Sequence, residues 1–452
     1  MREISKYLGN ITIEDAKEEI PKKLPLITRK EKKSYFYFRR KDFKTGSVGN
    51  LGYLILEEID NESNCQQVLE RLSKKSKVPY FILADLFMSY LKILQDLDLI
   101  KLNIKIDKKI PNKKPKQQFL SAPIQIAILL TNECNLRCSH CGNENRERKE
   151  NELTEEEWFK FTDECSKMNV FVFNASGGEP FMRKNWYDIL NYARKKGIEI
   201  GITSNGTLID EQIAKKLKEL DIFIIHLSLD GIEEVHDSFR NQEGVFKKVL
   251  NAIKLLKKYN IPFGVTTAIS KKNLHNLDQL KEFIKKNKIQ SWEVYFAIPI
   301  GCMDKKEVLE DKEIIELAEK ISQYKNELKD TKIFVGDNLG YHSKYKMQES
   351  WNGCQAGLSI CAVDSEGNIK GCPIHPNNLI EGNIREKPFS EIWNNKNSFS
   401  YNRNPKKLKK HCKKCKFSKT CRAGCKSSMY SQGTDFKYND LCLYHILKNK
   451  LP

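Results

Sequence analysis

The sequence predicts an α/β chain in three parts: a small winged-helix-like leading region (1–115), a partial (β/α)6 TIM-like barrel (120–325) and a cysteine-rich C-terminal region (326–452). Three observations predict it. Between Pro123 and Tyr324 six short β-rich apolar runs alternate with amphipathic helical segments, the pattern of a parallel sheet with helical crossovers. Ahead of them, a separate apolar-periodic region ends in a Lys- and Pro-rich stretch, Lys108 to Lys116, of linker composition. Behind them, helices thin out and eight of the 14 cysteines crowd between Cys354 and Cys442, so metals or clusters must supply what a core otherwise gives.

In the leading region, Ser34 to Phe38 reads as a strand, and Tyr53 to Ile59, Cys65 to Leu72 and Tyr80 to Leu97 read as helices. The barrel strands are Ile124 to Leu130, Val170 to Asn174, Ile198 to Thr203, Ile222 to Leu229, Phe263 to Ile269 and Trp292 to Ile298. Helices fall at Thr154 to Lys167, Lys184 to Lys196, Asp210 to Leu220, Val245 to Tyr259 and Leu274 to Asn287. A barrel of six strands stays incomplete, which leaves a lateral opening for a large substrate.

Length and composition bound the function. The 452 residues exceed what one core usually holds. Hydrophobic residues at 40% and charged residues at 30% exclude a wholly disordered chain. The net charge of +19 would suit a polyanion, but lysines are scattered along nearly every polar stretch, as at Lys407, Lys409 and Lys410, and read as solvated faces. Nothing in Met1 to Ile20 approaches a signal peptide or a membrane span. The expected location is therefore the cytoplasm, where a reducing environment turns dense cysteine spacing into a sign of metal binding.

The first such spacing is Thr131 to Cys141, TNECNLRCSHC, with Cys134, Cys138 and Cys141 directly after the first barrel strand. Three thiolates hold three irons of a cubic cluster and leave the fourth open to a chelating ligand; with His140 they could instead hold zinc. Gly177-Gly178-Glu179-Pro180 follows the second strand, where glycines admit close backbone approach and a carboxylate can accept hydrogen bonds from an ammonium. Thr203-Ser204-Asn205-Gly206-Thr207 ends the third strand and Ser228-Leu229-Asp230-Gly231 the fourth, followed by His236, Asp237 and Arg240. Barrel enzymes present ligand-binding groups at such strand ends.

Together these segments resemble the radical S-adenosylmethionine superfamily, and the likeness extends over roughly Pro123 to Tyr444. The resemblance implies that S-adenosyl-L-methionine chelates the open iron of a [4Fe-4S] cluster on Cys134, Cys138 and Cys141, and that an electron splits it to methionine and a 5′-deoxyadenosyl radical. It implies cofactor contacts at Gly177, Gly178 and Glu179, which hold the methionine amino group, at Ser204 and Asn205, and at Ser228 and Arg240 on the carboxylate. His236 and Asp237 read equally well as a local cap or a surface pair.

The C-terminal array runs Cys354, Cys361, Cys372, then Cys412-x2-Cys415-x5-Cys421-x3-Cys425, and finally Cys442. Eight cysteines suffice for two closed four-iron clusters, although the compact run alone would also suit a zinc ribbon. The array resembles the SPASM extension of radical enzymes that mature peptides. That resemblance implies Cys354, Cys361, Cys372 and Cys425 for one auxiliary [4Fe-4S] cluster and Cys412, Cys415, Cys421 and Cys442 for a second. Gly357, Gly367 and Ile369 to Pro373 also fit it. Closed clusters would carry electrons, support the fold or position substrate; one would accept the electron released when a substrate radical is oxidised. Pro373 is a departure, since sulfatase maturases have an aspartate after the third array cysteine, and it weakens a formylglycine-forming reading. Cys65 and Cys165 read as ordinary helix residues, whereas Cys302, after the sixth strand, could face the site.

The leading region resembles the PqqD-like leader-recognition domain of ribosomal peptide maturation enzymes, a winged-helix relative in which a leader peptide adds a strand to a short sheet. The match is best over Val48 to Asp60, including a turn at Gly52. A winged helix can also bind DNA, but a leader-binding domain fused to a peptide-modifying core raises the local concentration of substrate. The expected partners are a precursor peptide or small protein and an electron donor such as ferredoxin or flavodoxin, with no nucleic acid and no membrane. The expected activity is thioether or carbon-carbon crosslinking of the peptide. Formylglycine formation and a DNA-binding iron-sulfur redox sensor are the alternatives.

Overall fold

The computed structural model describes residues 13–31, 34–40, 44–103, 120–144, 146–339, 345, 347, 353–404 and 407–450. The linker reading at Lys108 to Lys116 and most of the Met1 to Ile20 reading lie outside these residues. The chain divides into two compact units, Met1–Lys116 and Gln117–Pro452.

In the first unit, β1 (Ile27–Lys30), β2 (Tyr35–Arg39) and β3 (Lys44–Val48) form an antiparallel sheet in that order. Three helices follow: α1 (Asn50–Glu58), α2 (Cys65–Ser76) and α3 (Tyr80–Asp96). The α2 start is fixed by a capping box in which Asn64 and Gln67 exchange side-chain and backbone hydrogen bonds. Ile55, Leu69, Phe87 and Leu91 are buried in the core between the helices. Gly52 lies inside α1 rather than in a turn, because a Cβ there would stand 3.1 Å from the Tyr90 ring; the residue serves helix packing, and Gly49 provides the N-cap.

The second unit is built on one sheet. Strands β4 (Gln125–Thr131), β5 (Val172–Gly177), β6 (Glu199–Ser204), β7 (Ile224–Ser228), β8 (Phe263–Ile269), β9 (Ser291–Phe296) and β10 (Lys332–Val335) pair in parallel, each with the next. The crossovers carry α4 (Glu155–Lys167), α5 (Trp186–Lys195), α6 (Glu211–Glu219), α7 (Glu234–Arg240), α8 (Val245–Lys258), α9 (Leu277–Lys286) and α10 (Asp311–Glu327). Thr154 opens α4 through a capping box with Glu157, and three glutamates in the first turn favour the helix dipole. The six expected strands are present, and β10 adds a seventh beyond residue 325. It is an edge strand of only four residues with Lys332 and Phe334 exposed, so its apolar run, Ile333 to Val335, is too short to stand out.

On the other side, β11 (Ile360–Val363) pairs in parallel with β4, and β12 (Asn368–Lys370) and β13 (Ile380–Asn383) continue antiparallel. The order runs β10-β9-β8-β7-β6-β5-β4-β11-β12-β13 without closing, so the barrel is partial and part of the cysteine-rich region is hydrogen-bonded into its sheet. Among the described residues, no single helix is long and apolar enough to cross a membrane.

Candidate active site and cluster-binding cysteines

The loop after β4 carries Cys134, Cys138 and Cys141, and its neighbours hold it by the backbone. Cys134 N donates to Arg146 O at 3.0 Å, Ser139 N to Phe239 O at 3.3 Å, and Cys302 N to Cys141 O at 2.9 Å. The end of β5 is stapled to the same loop: Gly178 N donates to Thr131 O and Glu179 N to Glu133 O, both at 2.8 Å. The glycines are required here. Gly177 has φ +129°, and a Cβ on Gly178 would stand 2.0 Å from the Glu133 carbonyl oxygen.

Glu179 is fully buried. It accepts hydrogen bonds from Ser204 Oγ and Asn205 N at 2.8 Å and from Phe181 N at 3.4 Å. Burial pushes its pKa up to about 7, against those hydrogen bonds and the charge of Arg240. Asn205 Nδ2 donates to Asn135 Oδ1 at 2.9 Å, and Asn135 Nδ2 to Thr207 Oγ1 at 2.8 Å. The structure thus brings Gly177, Gly178, Glu179, Ser204 and Asn205 together beside the cysteine loop. Asn135 and Thr207 join them, two residues inside the quoted motifs whose part in the network spacing alone could not show.

Ser228 and Arg240 are placed differently. Ser228 ends β7, in register with Thr266 of β8. Arg240 is buried, ion-paired with Asp230 through Nη2, and its Nη1 lies 3.7 Å from Cys138 Sγ. Its guanidinium is thus engaged by a carboxylate beside a cysteine of the first motif. Asp230 also accepts from Ala268 N at 2.9 Å; desolvation raises its pKa, with Arg240 opposing. Asp237 caps the start of α8, accepting from Gly244 N at 2.6 Å and Phe246 N at 2.7 Å, the local-cap reading. The His140 ring lies 4.2 Å from the Phe239 ring, and burial lowers its pKa well below the ordinary value. Cys302 touches the guanidinium of Arg146.

In the C-terminal region, Cys412, Cys415, Cys421 and Cys442 line one cavity of about 410 Å³. Burial pushes Cys412 up to about 11 and Cys421 up to about 12, and in both the thiols of the set reinforce the shift. Cys354, Cys372 and Cys425 form a second group. Burial raises all three; Cys354 adds to the shifts of Cys372 and Cys425. Cys361 lies on a strand, and together with Cys354 and Cys372 it acts on the buried Tyr401 hydroxyl. It sits on β11 opposite Ile126 of β4, influenced by burial and by the Arg403 guanidinium, and its own thiol acts on Cys165 of α4. The alternation of a strand turns it into the core between sheet and helix.

The residues present fit iron-sulfur clusters. Asn143 N donates to Cys141 Sγ at 3.4 Å, and nearby backbone N–H groups oppose the effect of burial at Cys134, Cys354, Cys372, Cys425, Cys412 and Cys442. Such bonds stabilise cluster-bound thiolate. Lys426 is wholly buried, its Nζ donating to Arg422 O at 2.7 Å, and desolvation pulls its pKa down to about 8. A cation in that position calls for negative charge nearby, which thiolate-ligated clusters supply. Among the described residues, no three His, Cys, Asp or Glu side chains converge to share one ion.

Residues 128–284 match the radical SAM superfamily and residues 354–416 match its iron-sulfur cluster-binding SPASM domain. The AdoMet-dependent heme synthase of Methanosarcina barkeri is 31% identical over 346 residues, 72% of this chain and 97% of the relative. The antilisterial bacteriocin subtilosin biosynthesis protein AlbA of Bacillus subtilis is 24% identical over 85% of each chain. SuiB of Streptococcus suis, solved with S-adenosylmethionine and with precursor peptide SuiA, shares the fold at TM-score 0.69 and 17% identity, over 92% of this chain and 98% of its own. The chain belongs to the radical SAM superfamily and is an enzyme of its SPASM-bearing branch. Its cofactors are S-adenosyl-L-methionine, the [4Fe-4S] cluster that binds it, and auxiliary iron-sulfur clusters.

Proposed function

We propose that the chain modifies a ribosomally made precursor peptide in the cytoplasm, forming thioether or carbon-carbon crosslinks, with residues 1–115 holding the leader. The leading unit carries this reading. The likeness to the heme synthase accounts for nearly all of that relative yet leaves more than a quarter of this chain over, whereas the likeness to AlbA and to SuiB runs further along it. The leading unit has the parts a leader-binding domain needs: a three-stranded sheet with β1 and β3 at its edges, able to accept an added strand, and a glycine-led helix behind it.

In the core, Cys134, Cys138 and Cys141 would hold the S-adenosylmethionine cluster, with Gly177, Gly178, Glu179, Ser204 and Asn205 around the methionine end of the cofactor. Bound together, cluster and cofactor supply a 5′-deoxyadenosyl radical. The chain's own residues orient the cofactor and keep water from it: Gly178 lets the β5 backbone close on the cysteine loop, and Ser204 and Asn205 fix the Glu179 carboxylate. Joining a thiol sulfur to a carbon removes one hydrogen atom to the radical, one proton to solvent or a nearby base, and one electron, which an oxidised auxiliary cluster would accept. Ferredoxin or flavodoxin supplies the reducing electron that starts the cycle.

Coexpression with a short cysteine-bearing peptide encoded beside the gene tests the proposal. The peptide should lose a hydrogen pair per crosslink by mass spectrometry, and should bind in salt that abolishes any duplex DNA signal. An unmodified peptide that does not bind would sink it. The second reading, heme formation, is favoured by the 31% relative; appearance of heme absorbance with a porphyrin precursor, and none of the peptide product, would establish it instead.

A further inference from the structure

The cysteine loop that follows β4 closes on a buried arginine. Two other arginines of this loop are ordinary surface groups: Arg137 pairs with Glu147 at 2.5 Å and Arg148 with Glu152 at 3.8 Å, and both side chains are exposed. Arg146 differs. It is buried, and among the described residues no carboxylate pairs with it. Its guanidinium is spent on the loop instead: Nε donates to Asn143 O at 3.0 Å and Nη2 to Cys138 O at 3.3 Å, and Nη2 also touches Cys302 Sγ.

Through these bonds Arg146 reaches the segment of each cysteine in the motif. Its carbonyl accepts Cys134 N at 3.0 Å, its Nη2 holds the Cys138 carbonyl, and Asn143, which its Nε holds, donates N–H to Cys141 Sγ at 3.4 Å. The loop after β9 closes the other side. Cys302 N donates to Cys141 O at 2.9 Å, and Gly301, at φ +64°, has no space for a Cβ, which would stand 2.4 Å from Cys141 O. A buried cation without a carboxylate partner is costly unless negative charge arrives beside it, and thiolates bearing an iron-sulfur cluster bring that charge to this loop. Reduction adds one electron to such a cluster, so a fixed positive charge beside it favours the reduced form.

We propose that Arg146 is a positioning residue of the S-adenosylmethionine cluster, and that its charge, clamped between the cysteine loop and Cys302, makes this cluster easier to reduce. The inference rests on the family's cofactor set and not on the choice of peptide as substrate. Spacing within the motif gives no sign of it, because Arg146 stands outside the three cysteines and only the folded loop turns it back beneath them.

The test is an anaerobic redox titration of the full, iron-loaded chain, followed by electron paramagnetic resonance, with no S-adenosylmethionine and no peptide added. C134A/C138A/C141A supplies the signal of the auxiliary clusters, which is subtracted. R146M removes the charge and R146K keeps it. R146M should keep the loop's complement of about four irons and shift its reduction equilibrium about tenfold toward the oxidised form, a potential about 59 mV more negative. R146K should keep the irons and stay near the wild-type potential. An unchanged potential in R146M overturns the proposal, as does an equal shift in R146K. If R146M loses the loop irons, R146K decides: irons kept near the wild-type potential support the role of the charge, and any other result overturns it. A chain that modified no peptide would give the same titration, so this inference and the proposed function fail separately.

Discussion

The carboxyl of Glu179 should make the strand-end network weaken as pH rises. Burial places its pKa at about 7 instead of the ordinary 4.5, which corresponds to about 3 kcal/mol favouring the neutral form in the fold. Below pH 4.5 folded and open states both carry the proton, and the network keeps its full stability. Between 4.5 and 7 the opened carboxyl ionises while the closed one does not, so opening becomes easier; above 7 both are ionised and the loss levels off. E179Q preserves a neutral group at the site and removes the titration. Hydrogen exchange of iron-loaded protein over residues 199–207, corrected for the intrinsic rate, reads local opening without global unfolding. Relative to E179Q, protection in the wild type should fall by about 3 kcal/mol, roughly a hundredfold, between pH 5 and 8. Equal pH dependence in the two proteins would refute the reasoning. An ammonium docked on Glu179 favours the ionised form, so saturating S-adenosylmethionine should flatten the wild-type slope.

Three more outcomes follow from the same geometry. R240M should cost about 3–5 kcal/mol in equilibrium urea unfolding, because it strands the buried Asp230 carboxylate, and D230L/R240M should recover most of it; a single variant within about 1 kcal/mol of wild type would contradict the pairing. G178A should lose about four irons per chain, those of the cysteine loop, because its Cβ has no room against Glu133 O, whereas G197A, at φ +84° with open space around it, should keep them. F87A should destabilise the leading unit by about 3–5 kcal/mol in thermal unfolding, leaving the visible iron-sulfur absorbance intact.

The strands and helices of the barrel were legible because β-rich runs and amphipathic stretches alternate strongly, and the cofactor segments because they close consecutive strands. What escaped has physical causes. The β10 strand is four residues long and half exposed, so its Ile-Phe-Val run is too short to be told from a buried loop anchor. Gly52 reads as a turn in sequence, yet it makes room for Tyr90 within a helix. Arg240 reads from the resemblance as a contact for the methionine carboxylate, and its pairing with Asp230, which also takes the Ala268 N–H of β8, leaves no mark in the spacing. Cys361 has array spacing, and only the pairing of β11 with β4 shows which way its side chain points.

The quoted motifs and the remaining strand ends occupy different parts of the sheet. The motifs on Cys134 to Cys141, Gly177 to Glu179 and Ser204 to Thr207 lie at the ends of β4, β5 and β6, the middle of the sheet. The strands toward the β10 edge present a different face. On β9, Trp292, Val294 and Phe296 are buried on one side, while Glu293 and Tyr295 share the other. Glu293 is met by Thr266 Oγ1 at 3.4 Å and by the charge of Asp337, and Tyr295 by Asp230, Arg240 and Cys141. Burial raises the pKa of Glu293, with Asp337 adding to the shift, which favours a neutral carboxyl able to donate a hydrogen bond.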